Sequence, residues 1–382
     1  MKTGILTIFK GNYNYGGMLQ AYALAKVCND MGYTACQVRF SGGTNIIYSS
    51  RLQQCKQYSF FEIISKFREK LLEKKGRNII DVKLKGRKNL FDKFVQNYIP
   101  LSEKYYSISS KNELVQDFDA FVVGSDQVWN PNVVNAFYVL DFPLQKKARK
   151  ISYAASIGRG YLSKHECSVL KKYLDDFDFI SVREASAKEL LEKANVVVPI
   201  KTVLDPTMLL DRECWMSICA DRIIKEKYIL LYSFSNCPFQ EELKEYYGSM
   251  GYKVVYIHYA KQTYNSYDEK SPFTPMWNIG PSEFLSLISY ADYIITDSFH
   301  GAVFSIIFNR QFFVFNRDSN KAKTSKNARL VDLLTNFNLS DRIIGGVEEL
   351  KSKKESISYL KINQIRAEYG KQSLEWLKKA LG

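Results

Sequence analysis

Tyr293-Ile-Ile-Thr-Asp-Ser-Phe-His-Gly301 opens on a β-rich apolar run, crosses a polar turn and enters a second apolar run, Ala302 to Phe308. A short apolar strand feeding a helix through a polar turn is the repeating unit of a parallel sheet covered on both faces. Outward from this stretch the unit recurs. Phe312-Phe-Val-Phe315 follows it, and Tyr228-Ile-Leu-Leu-Tyr232 and Lys253-Val-Val-Tyr-Ile257 precede it, with helical patterns between. Before Pro206 lies a second series. It starts with Ile5-Leu-Thr-Ile-Phe9, a glycine turn and a helical pattern from Leu19 to Cys28. It continues with Phe121-Val-Val123, Ile151-Ser-Tyr153, Phe179-Ile-Ser-Val182 and Thr202-Val-Leu204. Two such series predict an α/β protein of two doubly wound domains that divide near Asp205-Pro206. The expected boundaries are 1–206, 207–345 and a C-terminal helical segment, 346–382, that packs back on the rest. Residues 43–112 break the alternation. There Phe60, Ile63, Ile64, Phe67 and Leu71 recur at helical spacing among lysines, which reads as a basic helical insertion. Such a helix either caps its own domain or lies on a membrane surface.

The 382 residues, 46% hydrophobic and 25% charged, exclude a disordered, collagen-like or coiled-coil architecture. The apolar run at the N-terminus is too short for a signal-peptide core, and no stretch is long enough to cross a membrane as a helix. Seven scattered cysteines without a C-x-x-C pair fit reduced thiols and no zinc site, so a cytoplasmic protein is expected. The formal charge is +14. Arg51 to Lys111 holds 15 basic and 6 acidic residues, and Arg317 to Arg329 five basic residues against Asp318 alone. These two segments carry 13 of the 14 net charges. They point to an anionic partner (phosphate, phospholipid or nucleic acid) or to a solvated positive face.

In doubly wound sheets ligands bind beyond the carboxyl ends of the strands, so the polar residues there are the candidates. Asn12 to Gly17 runs into a helix and offers backbone N–H groups at a positive helix end, although a plain strand-to-helix turn reads equally well. It matches neither G-x-G-x-x-G nor a P-loop. Asp126, after Gly124 and Ser125, is placed to receive a proton or orient a hydroxyl, or else to cap the next element. Of the three histidines, His165 lies in a polar helix, while His258 and His300 follow strands. His300, between Thr296-Asp297-Ser298 and Gly301, can bind an anion or move a proton. No nucleophile elbow and no metal-binding spacing is present.

Six motifs in this order resemble the polysaccharide pyruvyltransferase family. They are Asn14-Tyr-Gly-Gly-Met-Leu-Gln-Ala-Tyr22, Val123-Gly-Ser-Asp-Gln-Val-Trp-Asn-Pro131 and Lys150-Ile-Ser-Tyr-Ala-Ala155. Ile180-Ser-Val-Arg-Glu184, Val203-Leu-Asp-Pro-Thr207 and Ile295-Thr-Asp-Ser-Phe-His-Gly301 complete the series, and the resemblance runs from about residue 1 to 340. It implies a GT-B-like fold, two Rossmann-like domains facing a cleft. It also implies transfer of the pyruvyl group of phosphoenolpyruvate, as co-substrate, onto a sugar of a cell-surface polysaccharide or its lipid-linked precursor. Arg183 matches a family position linked to phosphoenolpyruvate, where a guanidinium grips an anion in two-point fashion. His300 matches the family histidine and is the expected acid or anion contact; Asp126 is expected as the base. Ser298, Gly301 and Arg329 join Arg183 on the donor side. Asn14, Tyr15, Gly16, Gly17, Ser125 and Gln127 form the expected acceptor side. No metal or further cofactor is expected.

Better-described relatives carry an arginine where this chain has Ser298, so an anion anchor is missing; Arg310, Lys321, Lys323 or Arg329 can replace it. The departure leaves a second reading, a GT-B-type glycosyltransferase using a nucleotide sugar. A module that binds nucleic acid through the basic segments leaves Asp126, Arg183 and His300 without a purpose, so no nucleic-acid partner is expected. Peripheral contact with an acidic membrane surface at the inner face of the cytoplasmic membrane is.

Overall fold

Two all-parallel sheets organise the chain. The computed structural model describes every residue except 10, 12, 49–81, 83, 108, 110, 143–147, 236, 258–272, 318–326 and 354–355. The first sheet contains β1 (Lys2–Leu6), β2 (Thr34–Ser41), β3 (Leu101–Ser107) and β4 (Ala120–Val123). Its remaining strands are β5 (Arg149–Ala155), β6 (Phe179–Val182) and β7 (Ile200–Thr202). Their order is β3-β2-β1-β4-β5-β6-β7. The second sheet holds β8 (Tyr228–Tyr232), β9 (Lys253–Ile257), β10 (Thr274–Met276), β11 (Tyr293–Thr296) and β12 (Gln311–Val314), ordered β10-β9-β8-β11-β12. In each sheet the chain winds outward in both directions from a central pair, β1 and β4 in the first, β8 and β11 in the second. That reversal opens a crevice at the strand carboxyl ends.

The helices among the described residues are, in the first half, α1 (Tyr15–Asp30), α2 (Lys85–Tyr98), α3 (Lys111–Asp117), α4 (Lys164–Leu174) and α5 (Ala185–Lys193). Next come α6 (Arg212–Ser217), α7 (Gln240–Ser249), α8 (Pro281–Ser289) and α9 (Phe299–Ile307). The chain ends with α10 (Ala328–Asn336), α11 (Val347–Ser352) and α12 (Tyr359–Leu381). None is long and apolar enough to cross a membrane. A 3₁₀ turn, Pro206–Leu209, leads from the first sheet toward the second.

α1 is buried nearly all round, as a helix packed between layers must be. Its small residues, Gly16, Gly17, Ala21, Ala23 and Ala25, let both halves of the molecule approach it. One apolar core runs through it, from Ile5 and Leu19 to Phe284, Phe304 and Trp215. Tyr15 stacks on Phe284 at 4.6 Å, and Trp215 meets Phe304 edge-on at 4.9 Å. The range 43–112 differs from the expected insertion. Its C-terminal part supplies β3, an edge strand of the first sheet, and α2, whose Arg87 donates from Nε to the carbonyl of Trp277 (2.9 Å) and from Nη2 to that of Met276 (3.0 Å). The Phe60 to Leu71 stripe, like most of the basic segment 51–111, lies outside the described residues. α12 returns across the first half. Arg366 caps the carbonyls of Met208 and Leu210, and Arg149 reaches the carbonyl of Ala380.

Candidate active site

Four strand ends converge between the sheets. β4 delivers Ser125 and Asp126, β6 delivers Arg183 and Glu184, β7 leads to Asp205, and β11 leads through Asp297 and Ser298 to His300 in the first turn of α9. Asp205 is the hub. Its Oδ2 accepts from Arg183 Nη1 at 2.9 Å and from Ser125 Oγ at 3.0 Å, and lies 3.6 Å from His300 Nε2. Its Oδ1 accepts from the Thr207 amide and hydroxyl at 3.0 and 2.7 Å. Burial alone would raise the pKa of this carboxyl, but His300 and Arg183 together hold it well below the ordinary carboxylate range. Asp205 is therefore a fixed negative charge beside the imidazole.

Arg183 is ringed by carboxylates. Its Nε donates to Glu184 at 2.9 Å, its Nη1 to Asp205, and its Nη2 lies 3.6 Å from Asp126 Oδ1. The guanidinium sits 4.1 Å above the ring of Phe299. Burial opposes its charge, but Glu184, Asp205 and Asp126 overcome that cost and raise its pKa above the usual arginine value. Asp126 has φ +64°, a left-handed conformation that costs roughly 1–2 kcal/mol for a side-chain-bearing residue. Its carbonyl, which accepts from the Val128 and Ser156 amides at 2.8 and 2.9 Å, holds the turn that presents the carboxylate.

His300 is wedged between the halves. Its ring lies against Gly16 of α1, where an added Cβ would come within 2.0 Å of Nδ1. Only 7% of the residue is exposed, and Nε2 has no hydrogen-bond partner among the described residues. Asp297, just upstream, accepts from the Phe234 and Ser235 amides at 2.7 and 2.9 Å and from Ser235 Oγ at 2.6 Å, pinning the loop after β8. Arg317 lies 3.3 Å from the same carboxylate and over the Phe234 ring.

The structure thus brings together Asp126 and His300, read from the sequence as strand-end candidates, and Arg183, singled out by the family resemblance. It treats the expected acceptor residues differently. Tyr15 is not brought to the cleft: its ring is inside the shared core and its hydroxyl donates to the Ile279 carbonyl at 2.9 Å, with burial pushing its pKa up to about 12. Ser125 is fully buried and spends its hydroxyl on Asp205. Asn14 caps α1 by accepting from the Gly17 amide at 3.2 Å, while Gly16 makes room for His300. Gln127 packs against Gly158 and accepts from Asn130. On the donor side, Ser298 caps α9 by accepting from the Gly301 amide at 3.3 Å, and Gly301 has Thr296 Oγ1 where a Cβ would go.

Of the residues considered as replacement anchors, Arg310 sits at the far end of α9 from His300, and Lys321 and Lys323 lie outside the described residues. Arg329, in the first turn of α10, is 8% exposed, and burial and neighbouring Arg183 push its pKa down to about 10. It lines a cavity of about 260 Å³ together with Arg183, Glu184, Asp205 and Phe299. His165 lies elsewhere, 3.1 Å from the carbonyl of Ile47, and His258 is outside the described residues. The sequence reading assigned no role to Asp205 or Glu184. Asp205 stood in a quoted motif directly after a strand, which is the signal that marks the other three.

Two parallel α/β halves meeting at their strand ends constitute a GT-B-like fold. The UDP-N-acetylglucosamine 2-epimerase from Rickettsia bellii shares it, with a TM-score of 0.52 and 10% identity over 99% of this chain and 96% of that one. The Methanocaldococcus jannaschii UDP-GlcNAc 2-epimerase, solved with UDP-GlcNAc and UDP, superposes with a TM-score of 0.48 and 12% identity over 96% and 98% of the two chains. The wall teichoic acid polymerase TagF gives 0.47 and 11% over 99% and 83%. At such identities the likeness concerns the fold alone, and no curated protein matches the sequence. The family model for polysaccharide pyruvyl transferase matches residues 14–319. The chain belongs to the polysaccharide pyruvyl transferase family.

Proposed function

We propose that the protein moves the pyruvyl group of phosphoenolpyruvate onto two hydroxyls of a sugar in a cell-surface polysaccharide or its lipid-linked precursor, forming a cyclic ketal and releasing phosphate. The observation that carries this reading is His300, set between the two halves and 3.6 Å from the ionised Asp205. Its Nε2, without a hydrogen-bond partner among the described residues, is the ring atom placed to give a proton. In the reaction, C3 of the enol phosphate takes a proton from His300 and leaves an oxocarbenium-like centre at C2. One sugar hydroxyl bonds to C2, phosphate departs, and the second hydroxyl closes the ketal. Of the two hydroxyl protons, one replaces that given to the methyl group and the other leaves with phosphate. Asp126, in its left-handed turn beside Arg183, is the group that takes a hydroxyl proton. Arg183 fixes Asp126 and Asp205 relative to one another.

The test is mass spectrometry of a panel of diol-bearing glycans incubated with protein and phosphoenolpyruvate. The expected product gains one pyruvyl unit less water, with phosphate released only when acceptor is present. His300→Ala is expected to lower turnover by about 10²–10⁴-fold. Phosphate release from no member of a broad panel, or transfer of a glycosyl unit from a nucleotide sugar instead, would overturn the reading.

A lipid-linked acceptor places the protein at a membrane face. The basic segment 51–111 supports such contact, each Lys or Arg near an anionic surface adding roughly 1 kcal/mol. Sedimentation with anionic vesicles is expected at low salt and is lost at high salt; equal binding to neutral vesicles would count against it.

A further inference from the structure

The two arginines that line the 260 Å³ cavity differ in their partners among the described residues: Arg183 is ion-paired, with only its Nη2 lacking a hydrogen bond, and Arg329 is not. Arg183 is engaged by Glu184, Asp205 and Asp126. Arg329 is more than nine-tenths buried, and its Nε–H has no hydrogen-bond partner among the described residues. The carboxylates around it do not meet that need. Glu184 and Asp126 attract it through space, but Glu184 Oε1 and Asp205 Oδ2 are taken up by Arg183, and Glu184 Oε2, itself unpaired among the described residues, makes no hydrogen bond to it. Asp332, one turn further along α10, accepts from the amide and hydroxyl of Ser186 at 3.1 and 2.8 Å. Arg183 and Arg317 meanwhile repel Arg329. A buried guanidinium with an unmet donor and two cationic neighbours is a costly arrangement that a bound anion relieves on both counts. The cavity walls suit a small ligand. Lys201 adds a further cation, and Tyr369 and Gln372 of α12 contribute to the lining. At about 260 Å³ it has room for a phosphate- or carboxylate-bearing small molecule.

We propose that Arg329 is the anion hold of this cavity, binding the phosphoryl or carboxylate group of a small acidic donor, with the C-terminal helix forming the outer wall of that subsite. The assignment of the anion to a donor rests on the pyruvyl-transfer reading; the subsite itself does not. Arg183 then acts as a positioning residue and Arg329 as the contact.

The experiment titrates the full-length protein and its Arg329→Gln and Arg329→Lys variants by calorimetry with inorganic phosphate, pyruvate and phosphoenolpyruvate, and measures pyruvyl transfer in parallel. Arg329→Gln is expected to weaken phosphoenolpyruvate binding at least tenfold, raising KM far more than it lowers kcat, and Arg329→Lys to recover part of the loss. Loss of phosphate binding alone assigns the phosphoryl end, and loss of pyruvate binding alone the carboxylate. Wild-type protein that binds none of the three anions, or an Arg329→Gln variant that binds them as wild type does, overturns the proposal. If no acceptor is ever pyruvylated but phosphate binding still depends on Arg329, the subsite stands and the transfer reading falls.

Discussion

Gly16 and His300 meet from opposite halves of the molecule, and the absence of a Cβ at residue 16 sets where the imidazole lies. Gly16 sits within α1, so alanine suits its backbone and the whole effect of the change falls on the ring. Gly16→Ala would bring Cβ within 2.0 Å of Nδ1. The ring must shift by about 1 Å or more, which is expected to cost roughly 100-fold in kcat and about 1–3 kcal/mol of stability through overpacking. In a His300→Ala background the same glycine change is expected to cost little stability, and denaturant titration of the four proteins checks this. If the two losses simply add, the contact is not what constrains residue 16. Asp205 is argued at the same scale. It stays ionised in the fold at pH values where the unfolded chain, with a value near 4, binds a proton. Its contribution is thus complete at neutral pH and is lost as pH falls below about 5 toward the depressed folded value. Asp205→Asn is expected to destabilise by about 3–5 kcal/mol at neutral pH, because Arg183 loses a buried partner. It is also expected to flatten the acid limb of a stability–pH curve. An unchanged acid limb would show that other carboxylates govern it.

At the scale of elements, α12 supports the cluster around Asp205 from behind. Ser373 Oγ accepts from the Leu204 amide at 3.0 Å and donates to the Tyr369 carbonyl at 2.7 Å, so the residue before Asp205 is held by the C-terminal helix. Ser373→Ala leaves a buried N–H unpaired and is expected to cost about 1–3 kcal/mol, read by urea unfolding. A variant within a few tenths of wild type would mean the amide finds another partner. The elements also show why some of the fold could be read in advance. β8, β9 and β11 match the apolar runs Tyr228–Tyr232, Lys253–Ile257 and Tyr293–Thr296, because strands covered on both faces have no polar positions to blur them. β3 and β10 escaped because they lack an apolar run: LSEKYYS exposes Glu103, Lys104 and Tyr105 and TPM contains a proline, as an edge allows, whereas the edge strand β12 keeps its run. β2 escaped for another reason. Its buried Gln37 donates to the Ala21 carbonyl, a polar residue satisfied only by tertiary structure. The site divides in the same way. Asp126, Arg183 and His300 follow strands and could be picked out by position. Asp205 carries the same positional signal, and Arg329 is reached from the sequence as one basic residue among several; what sets both apart is burial among partners from separate segments, which no spacing in the sequence records.

At the scale of the whole molecule, the two sheets are not hinged bodies resting against each other. α1 follows β1 of the first sheet yet carries Tyr15 into the aromatic cluster of the second half, against Phe284 and Tyr232. Arg87 and the Tyr15 hydroxyl bond to the segment Met276 to Ile279, and Ser186 bonds to Asp332 across the other side. Multidomain chains of this size commonly unfold in stages. A shared core instead couples the halves, because exposing either interface would strand the apolar face of the other. The protein is therefore expected to unfold in one calorimetric transition whose measured enthalpy matches the van't Hoff value. Tyr15→Ala removes the central ring and is expected to cost about 3–5 kcal/mol and to separate the transition into two. Two resolved transitions in the unaltered protein would show that the halves are energetically independent. In that case His300 and Asp205, 3.6 Å apart, would be held together by local contacts and not by the fold's single core.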